Sequence, residues 1–265
     1  TFHGSDATTK RDYADSLWLN SYFKNQSALF KYGDCFIAVS KFIKNKLLEQ
    51  GFPQDKIIVH YTGVDTRKFN YVKNRERNRN VLFVGRIVEN KGLKYLIDAL
   101  EIVQRENPSI GLIVIGDGPL KDKMEQYARE KIKNFIFLGK QTIEQTIQYM
   151  SVCKILCVPS ITIQNGQSEG LGQVFLEAGA MGTPVVSFFT GGIPEAVRHN
   201  HTGLLFPEKD VRQLAEGIAA VFKNIDLWNK LSMNAVKYIN QNFNIQKQTQ
   251  NLEEIYRKII NNYNQ

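Results

Sequence analysis

The stretch Ser168-Glu169-Gly170-Leu171-Gly172-Gln173-Val174-Phe175-Leu176-Glu177-Ala178-Gly179-Ala180-Met181-Gly182-Thr183-Pro184 holds a loop, a helix and a sharp stop in succession. Leu171, Val174, Phe175 and Ala178 recur at i, i+3, i+4 and i+7, the spacing of one buried helical face. Gly182 stands where such a helix ends, and Pro184 forbids its continuation. Val185-Val186-Ser187-Phe188-Phe189 then reads as a buried strand. A helix running straight into a buried strand is one turn of an alternating α/β pattern, and the flanking sequence shows how far that pattern extends.

Glu177 is the only charged residue of the helix, set among Phe175, Leu176 and Ala178. A carboxylate in apolar company is costly unless a partner hydrogen-bonds it. Glu169 stands eight positions earlier, just outside the helix start. Glycines ahead of a helix N-terminus leave N–H groups free at the positive dipole end, which suits a phosphate. The segment can thus hold an anion at its tip and a hydroxyl-rich group at each glutamate. Equally, Glu169 can be a helix cap and Glu177 a satisfied core carboxylate, and spacing alone leaves both open.

On either side the alternation is regular from Asn80 onward. Val81-Leu82-Phe83-Val84, Leu112-Ile113-Val114-Ile115, Phe135-Ile136-Phe137-Leu138 and residues 155–158 read as strands before the opening stretch, and Gly203-Leu204-Leu205-Phe206 as one after it. Between them lie helical patterns: one with Leu93, Leu96, Ile97, Leu100 and Val103 on a stripe, then 119–131, 143–150 and 211–222. Strands alternating with helices specify right-handed βαβ units and a parallel sheet. The fold class is α/β.

Residues 1–77 read as a first unit. It has a helical pattern over 13–30, a strand over 34–39, a helix capped by Ser40 and closed by Gly51 and Pro53, and a second strand over 57–61. Two strands are too few to bury both faces of such a sheet. Together with an opening Thr1-Phe2-His3-Gly4-Ser5-Asp6 that looks like a strand entering a turn, this predicts that an N-terminal part is missing. Ordinary domain size puts that part on the order of a hundred residues. Residues 70–79 read as a linker, 78–245 as the main domain, and 246–265 as a C-terminal helix expected to pack back on the first unit.

The 265 residues carry a net charge of +8, which invites polyanionic partners. The cations are dispersed, and the densest cluster, Arg75-Glu76-Arg77-Asn78-Arg79, falls in the linker. No nucleic-acid-binding pattern is visible, so no nucleic acid is expected, whereas contact with an anionic membrane surface is compatible with the charge. No apolar run approaches the roughly 18–20 residues needed to span a bilayer. The three cysteines have no metal-ligand spacing, the two in the run Val152-Cys153-Lys154-Ile155-Leu156-Cys157-Val158 read as buried thiols of a reducing cytoplasm, and no metal is expected.

Ligands of parallel sheets sit beyond the carboxyl ends of the strands, which selects the turns to inspect. Gly85 lets backbone approach a ligand closely, Arg86 offers a planar fork to phosphate, and Lys91 adds a point charge from the same loop. Read blandly, both cations are solvated surface charges. Gly116-Asp117-Gly118 is a fragment of a phosphate-binding fingerprint and reads as a tight turn. Gly191-Gly192-Ile193-Pro194-Glu195 opens a short helix whose N-terminus Glu195 is expected to complement. His3, beside Gly4 and Asp6, is a candidate for the cleft.

The set Val84-Gly85-Arg86 with Lys91-Gly92, Gly116-Asp117-Gly118-Pro119, Pro159-Ser160, Glu169 with Glu177, and Gly191-Gly192-Ile193-Pro194-Glu195 resembles the retaining GT-B glycosyltransferases of family four. The order and spacing match across residues 34–207. His3-Gly4-Ser5-Asp6, His60-Tyr61-Thr62-Gly63-Val64-Asp65 and the Gly166-containing insert resemble the colanic-acid and exopolysaccharide branch. The resemblance implies a complete C-terminal Rossmann-like domain plus part of an N-terminal one, facing a cleft that holds a nucleotide-diphosphate-sugar donor. It implies Arg86 and Lys91 on the diphosphate, and Glu177 on the ribose. Glu169 would meet the transferred sugar, Gly170, Leu171 and Gly172 would offer amides, and residues after Gly139 would border the base. His3 would reach the sugar from across the cleft. It further implies transfer with retention, without a metal or separate cofactor, to a saccharide or lipid-linked acceptor in bacterial surface polysaccharide synthesis. The expected location is the cytoplasm, on the inner face of the plasma membrane where the acceptor is lipid-linked. A donor-binding fragment without activity, and a GT-B relative such as an epimerase or a glucan or sucrose synthase, remain the alternatives.

Overall fold

Two parallel sheets organise the chain in the computed structural model, which describes residues 1–13, 17–73 and 75–263. The first pairs β1 (Phe36–Ala38) with β2 (Ile57–Val59), Phe36 opposite Ile57, and Phe2 bridges Ala38 in parallel. Around it lie α1 (Ser5–Thr8), α2 (Leu17–Lys24), α3 (Gln26–Tyr32) and α4 (Lys41–Glu49). The helical pattern over 13–30 thus resolves into two helices parted at Asn25, with residues 14–16 outside the described residues. Helix α4 starts where Ser40 accepts the Ile43 amide at 3.1 Å. Phe2, Phe36 and Phe52 stack edge-on beneath these helices, with ring centroids 4.8–6.3 Å apart.

The second sheet has six strands: β3 (Asn80–Val84), β4 (Gly111–Ile115), β5 (Phe135–Gly139), β6 (Ile155–Cys157), β7 (Val185–Phe188) and β8 (Gly203–Phe206). All pair in parallel, in the spatial order β5-β4-β3-β6-β7-β8. Helices α5 (Leu93–Glu106), α6 (Lys121–Lys131), α7 (Ile143–Val152), α8 (Gln173–Ala180), α9 (Ile193–Ala196) and α10 (Val211–Lys223) fill the crossovers. Burial follows sheet position. Val81, Leu82 and Phe83 of central β3 are fully buried, while Ile136 on edge strand β5 is exposed.

Helix α8 begins at Gln173, two residues later than the apolar spacing predicts. Gly172 takes a left-handed conformation (φ 87°) and ends the preceding loop, so buried Leu171 packs from the loop rather than from the helix. Gly182 closes the helix at φ 66° as expected.

Residues 70–79 form no regular element among those described, and Asn74 lies outside them. Their three arginines are nevertheless engaged. Arg77 donates to the carbonyls of Met150 (2.7 Å), Cys153 (3.2 Å) and Met181 (2.9 Å) and to the Thr183 hydroxyl (2.7 Å). Arg75 donates to Ser151 and Arg79 to Ser109. The arginines of the densest basic cluster are therefore staples into α7 and the loops between the second sheet's helices and strands.

After α11 (Ile225–Asn242) the chain returns to the first sheet through α12 (Ile245–Tyr263). The Val64 amide donates to the Phe243 carbonyl (2.8 Å), the Ile245 amide to the Val64 carbonyl (3.0 Å), and His60 Nε2 to the Gln248 carbonyl (2.8 Å). Residues 264–265, the end of the predicted C-terminal helix, lie outside the described residues.

Candidate functional site

The sheet order makes β3 and β6 neighbours from which the chain winds in opposite directions, through β4 and β5 on one side and β7 and β8 on the other. A crevice opens beyond the carboxyl ends at such a switch point. The turn after β3 carries Gly85, Arg86 and Lys91, and the loop after β6 carries residues 158–172.

Two cavities lie there, and Arg86 lines both. One, of about 350 Å³, is bounded by His3 and Gly4 from the first unit, by Asn90 and Lys91, and by Glu169 and Gly170. The other, of about 760 Å³, is bounded by Gly85, Gly116, Asp117, Lys140, Gln141 and Thr146 at the ends of β3, β4 and β5. The Arg86 side chain is exposed and has no hydrogen-bond or ion-pair partner among the described residues. Lys91, in contrast, forms an ion pair with Glu169, whose carboxylate also lies 3.4 Å from the Ser160 hydroxyl. The expected roles gave these two residues separate ligands, and the fold gives them first to each other.

Close backbone approach builds the wall between the units. A Cβ on Gly170 would overlap the His3 carbonyl, and one on Gly192 would overlap the Gly170 carbonyl. The Gly192 amide donates to the Glu169 carbonyl at 2.8 Å, and the Ser40 hydroxyl donates to the Gly170 carbonyl at 2.6 Å. The amides of Gly170, Leu171 and Gly172 donate to no described residue, which leaves three donors ahead of α8. Gly170 lines the smaller cavity, whereas Leu171 and Gly172 line neither.

His3 is held at the rim by its turn. The Asp6 carboxylate accepts the His3 amide at 3.0 Å and the Gly4 amide at 2.7 Å, and the His3 ring bonds to no described residue. Gly139 (φ 68°) accepts the Gly116 amide at 2.9 Å and so aligns the ends of β4 and β5. Gly139 lines neither cavity, while its successors Lys140 and Gln141 do. Glu177 likewise lines neither. It is mostly buried in α8, its carboxylate has no hydrogen-bond partner among the described residues, and burial raises its pKa.

Glu195 departs from expectation. Its carboxylate does not serve its own short helix but accepts the Lys41 amide (2.8 Å) and the Phe42 amide (2.9 Å) at the start of α4. The Tyr61 hydroxyl adds a third bond at 2.9 Å, and Tyr238 donates to the Glu195 carbonyl at 2.8 Å. Two free amides at the N-terminus of α4 attract a carboxylate more strongly than α9, which has a single turn. Sequence reasoning also missed Asn90 and Thr146, which sit at cavity rims without any distinctive spacing. Among the described residues, no group of three or more His, Cys, Asp and Glu is placed to hold a metal ion, and no helix is long and apolar enough to cross a membrane.

The sequence and the fold are both similar to those of known proteins. The chain is 32% identical over 219 residues to the amylovoran biosynthesis glycosyltransferase AmsK of Erwinia amylovora, covering 81% of this chain and 52% of AmsK. It is 31% identical over 231 residues to WcaL of Escherichia coli K12, provisionally assigned to colanic acid biosynthesis, covering 85% of this chain and 55% of WcaL. The chain thus spans about half the length of these curated relatives. Among solved structures, Anabaena HepE in complex with UDP and glucose superposes with a TM-score of 0.79 at 22% identity, covering 90% of this chain and 67% of HepE. Staphylococcus aureus TarM, a second GT-B neighbour, gives 0.80 at 20% identity, covering 96% and 50%. Residues 1–68 match Glycosyltransferase Family 4 and residues 65–238 match Glycosyl transferases group 1, so the chain belongs to the group 1 glycosyltransferases and has the GT-B fold.

Proposed function

We propose that this chain forms the donor-binding domain and part of the cleft of a retaining hexosyltransferase. It would move a sugar from a nucleotide-diphosphate-sugar to a saccharide acceptor, lipid-linked in surface polysaccharide synthesis. The observation that carries this reading is the junction at Arg86. An unpaired guanidinium stands between a cavity at the strand ends, sized for a nucleoside, and one where His3, Lys91, Glu169 and Gly170 converge.

In this reading the diphosphate lies across Arg86, with Lys91 and the free amides ahead of α8 completing its shell. The bond between the sugar's anomeric carbon and the β-phosphate oxygen breaks, and the acceptor oxygen bonds that carbon on the same face. The acceptor's proton passes to the departing phosphate oxygen. The cations favour this step because the leaving group bears more negative charge in the transition state than in the donor. Glu169 would meet the sugar, and Glu177 the ribose hydroxyls, which would satisfy a carboxylate otherwise unpartnered. Relatives named for exopolysaccharide synthesis support the substrate class. A cytoplasmic site resting on an anionic membrane face fits the net charge of +8.

The chain spans about half of its relatives, which favours a second reading, that the 265-residue piece binds donor without turning it over. One experiment separates the two. The full-length protein and this chain are incubated with a panel of nucleotide-sugars and acceptor extract, and products are read by mass. Transfer by the longer protein alone supports the second reading for the piece. Nucleotide-sugar binding by neither protein removes both readings.

A further inference from the structure

We propose that a third cavity, on the far side of α1, binds an anionic group carried by the acceptor saccharide, a phosphate or a carboxylate. The assignment to the acceptor rests on the glycosyl-transfer reading, whereas the anion site stands on its own geometry. The cavity holds about 500 Å³ between the first unit and the loop after β6, with Thr9, Lys10, Arg11, Lys46, Phe23 and Phe42 in its lining.

Thr9 is 3% exposed, yet its hydroxyl has no hydrogen-bond partner among the described residues. Buried hydroxyls are satisfied almost without exception, and Thr9 lines this cavity, so the partner its hydroxyl lacks among the described residues is one that a group bound there supplies after a small local adjustment. Lys10 and Arg11 follow it, and neither side chain has an ion-pair partner among the described residues. Lys46 is offset by Glu49 at 2.6 Å. The balance left on the cavity is cationic, and its apolar walls, Phe23 and Phe42, suit the face of a sugar ring.

Position links this cavity to the transfer site. His3, Gly4 and Ser5 line the 350 Å³ cavity, and Ala7 to Arg11 line this one. Across from them Ile163 and Gln167 face the first, and Thr162 and Gly166 the second. The Lys10 amide donates to the Asn165 carbonyl at 2.8 Å, and Gln50 Nε2 to the Ala7 carbonyl at 2.6 Å, so the C-terminal end of the separating wall is tied to both sides. That wall is one four-residue helix, about 6 Å long at the usual rise. An oligosaccharide whose reacting hydroxyl lies beside His3 and Glu169 reaches across it.

The test uses this chain preloaded with saturating UDP or GDP, whichever binds, so that Arg86 is occupied. Glucuronate supplies the carboxylate arm and glucose 1-phosphate the phosphate arm, each titrated by NMR. We expect at least one to bind, Lys10→Ala with Arg11→Ala to weaken it at least tenfold, and Thr9→Val to weaken it several-fold. Thr9→Ser, which keeps the hydroxyl, should restore binding, and nucleotide affinity should not change in any variant. Binding of neither anion, or equal binding by all variants, overturns the proposal. So does a Lys10- and Arg11-dependent association with phosphatidylglycerol vesicles in the absence of sugar-anion binding, which would make the patch a lipid contact. Failure of the nucleotide itself to bind counts against the glycosyl-transfer reading alone, since the anion titrations run equally on unloaded chain.

Discussion

Glu177 carries a carboxylate that burial holds above its ordinary pKa and that bonds to no described residue. A carboxyl group with a raised folded-state pKa binds more protons folded than unfolded. Its contribution therefore favours the fold at low pH and is lost as pH rises through the carboxylate range toward the folded value. Glu177→Gln should raise the melting temperature at pH 7, and the gain should vanish as the pH falls below about 4.5, the ordinary glutamate value. If Glu177 meets a ribose, the same variant should bind nucleoside diphosphate roughly tenfold or more weakly, the worth of about 1.5–3 kcal/mol for bonds to a charged group. Scanning fluorimetry across pH and calorimetry check the two halves, and a stabilised variant with unchanged affinity would leave Glu177 without a ligand role. Arg86→Ala with Lys91→Ala should lower affinity for a nucleoside diphosphate at least a hundredfold, from about 1.5–3 kcal/mol per charge-assisted contact, and leave the bare nucleoside unaffected. Equal losses for both ligands would show that neither cation reads phosphate.

At the scale of elements, the site depends on how helices start and where linkers are pinned. Gly92 caps α5 in a left-handed conformation (φ 69°), and a Cβ there would overlap the Pro159 carbonyl at the exit of β6. Gly92→Ala should therefore cost more than the ~1 kcal/mol of the conformational penalty alone, measured as a shift in the urea midpoint. Arg77 illustrates a different dependence. Burial lowers its pKa to about 10, its Nε has no partner among the described residues, and four acceptors from α7 and the loops after α7 and α8 converge on its other nitrogens. Arg77→Met keeps the apolar stem against Trp228 but strands those acceptors, and should destabilise by about 3 kcal/mol or more in denaturant titration.

Across the whole molecule, Glu195 is the tie between the two sheets. Its carboxylate holds the first turn of α4 and accepts the Tyr61 hydroxyl, Tyr238 donates to its backbone carbonyl, and one turn upstream Gly192 braces Glu169. Glu195→Ala should release the Lys41 and Phe42 amides, which will exchange with deuterium at least tenfold faster, while the β3 and β4 amides remain protected. Uniform acceleration would indicate general destabilisation, and no change at α4 would show that other contacts carry the seam. Because this tie sits one turn from the transfer cavity, its loss should also weaken any ligand that bridges His3 and Glu169 more than it weakens a bare nucleotide.

Local chemistry made a large part of this legible in advance. Period and punctuation place the eight strands of the described residues, because Val, Ile, Leu and Phe runs between Gly and Pro turns have few other solutions. The rule that ligands gather beyond the carboxyl ends of parallel strands selects the turns that carry Gly85, Arg86 and Lys91 from sequence alone, and the structure brings Arg86 and Lys91 to one cavity with Glu169 and Gly170. What the tertiary structure alone decided is pairing at a distance. Lys91 finds Glu169, 78 residues away, and Glu195 finds Lys41, 154 residues away. It also lines a cavity with Thr9, whose hydroxyl has no partner among the described residues. Spacing reports which face of an element a side chain occupies. The partner of a charged or polar group depends on which two faces the packing brings together, and no local pattern encodes that.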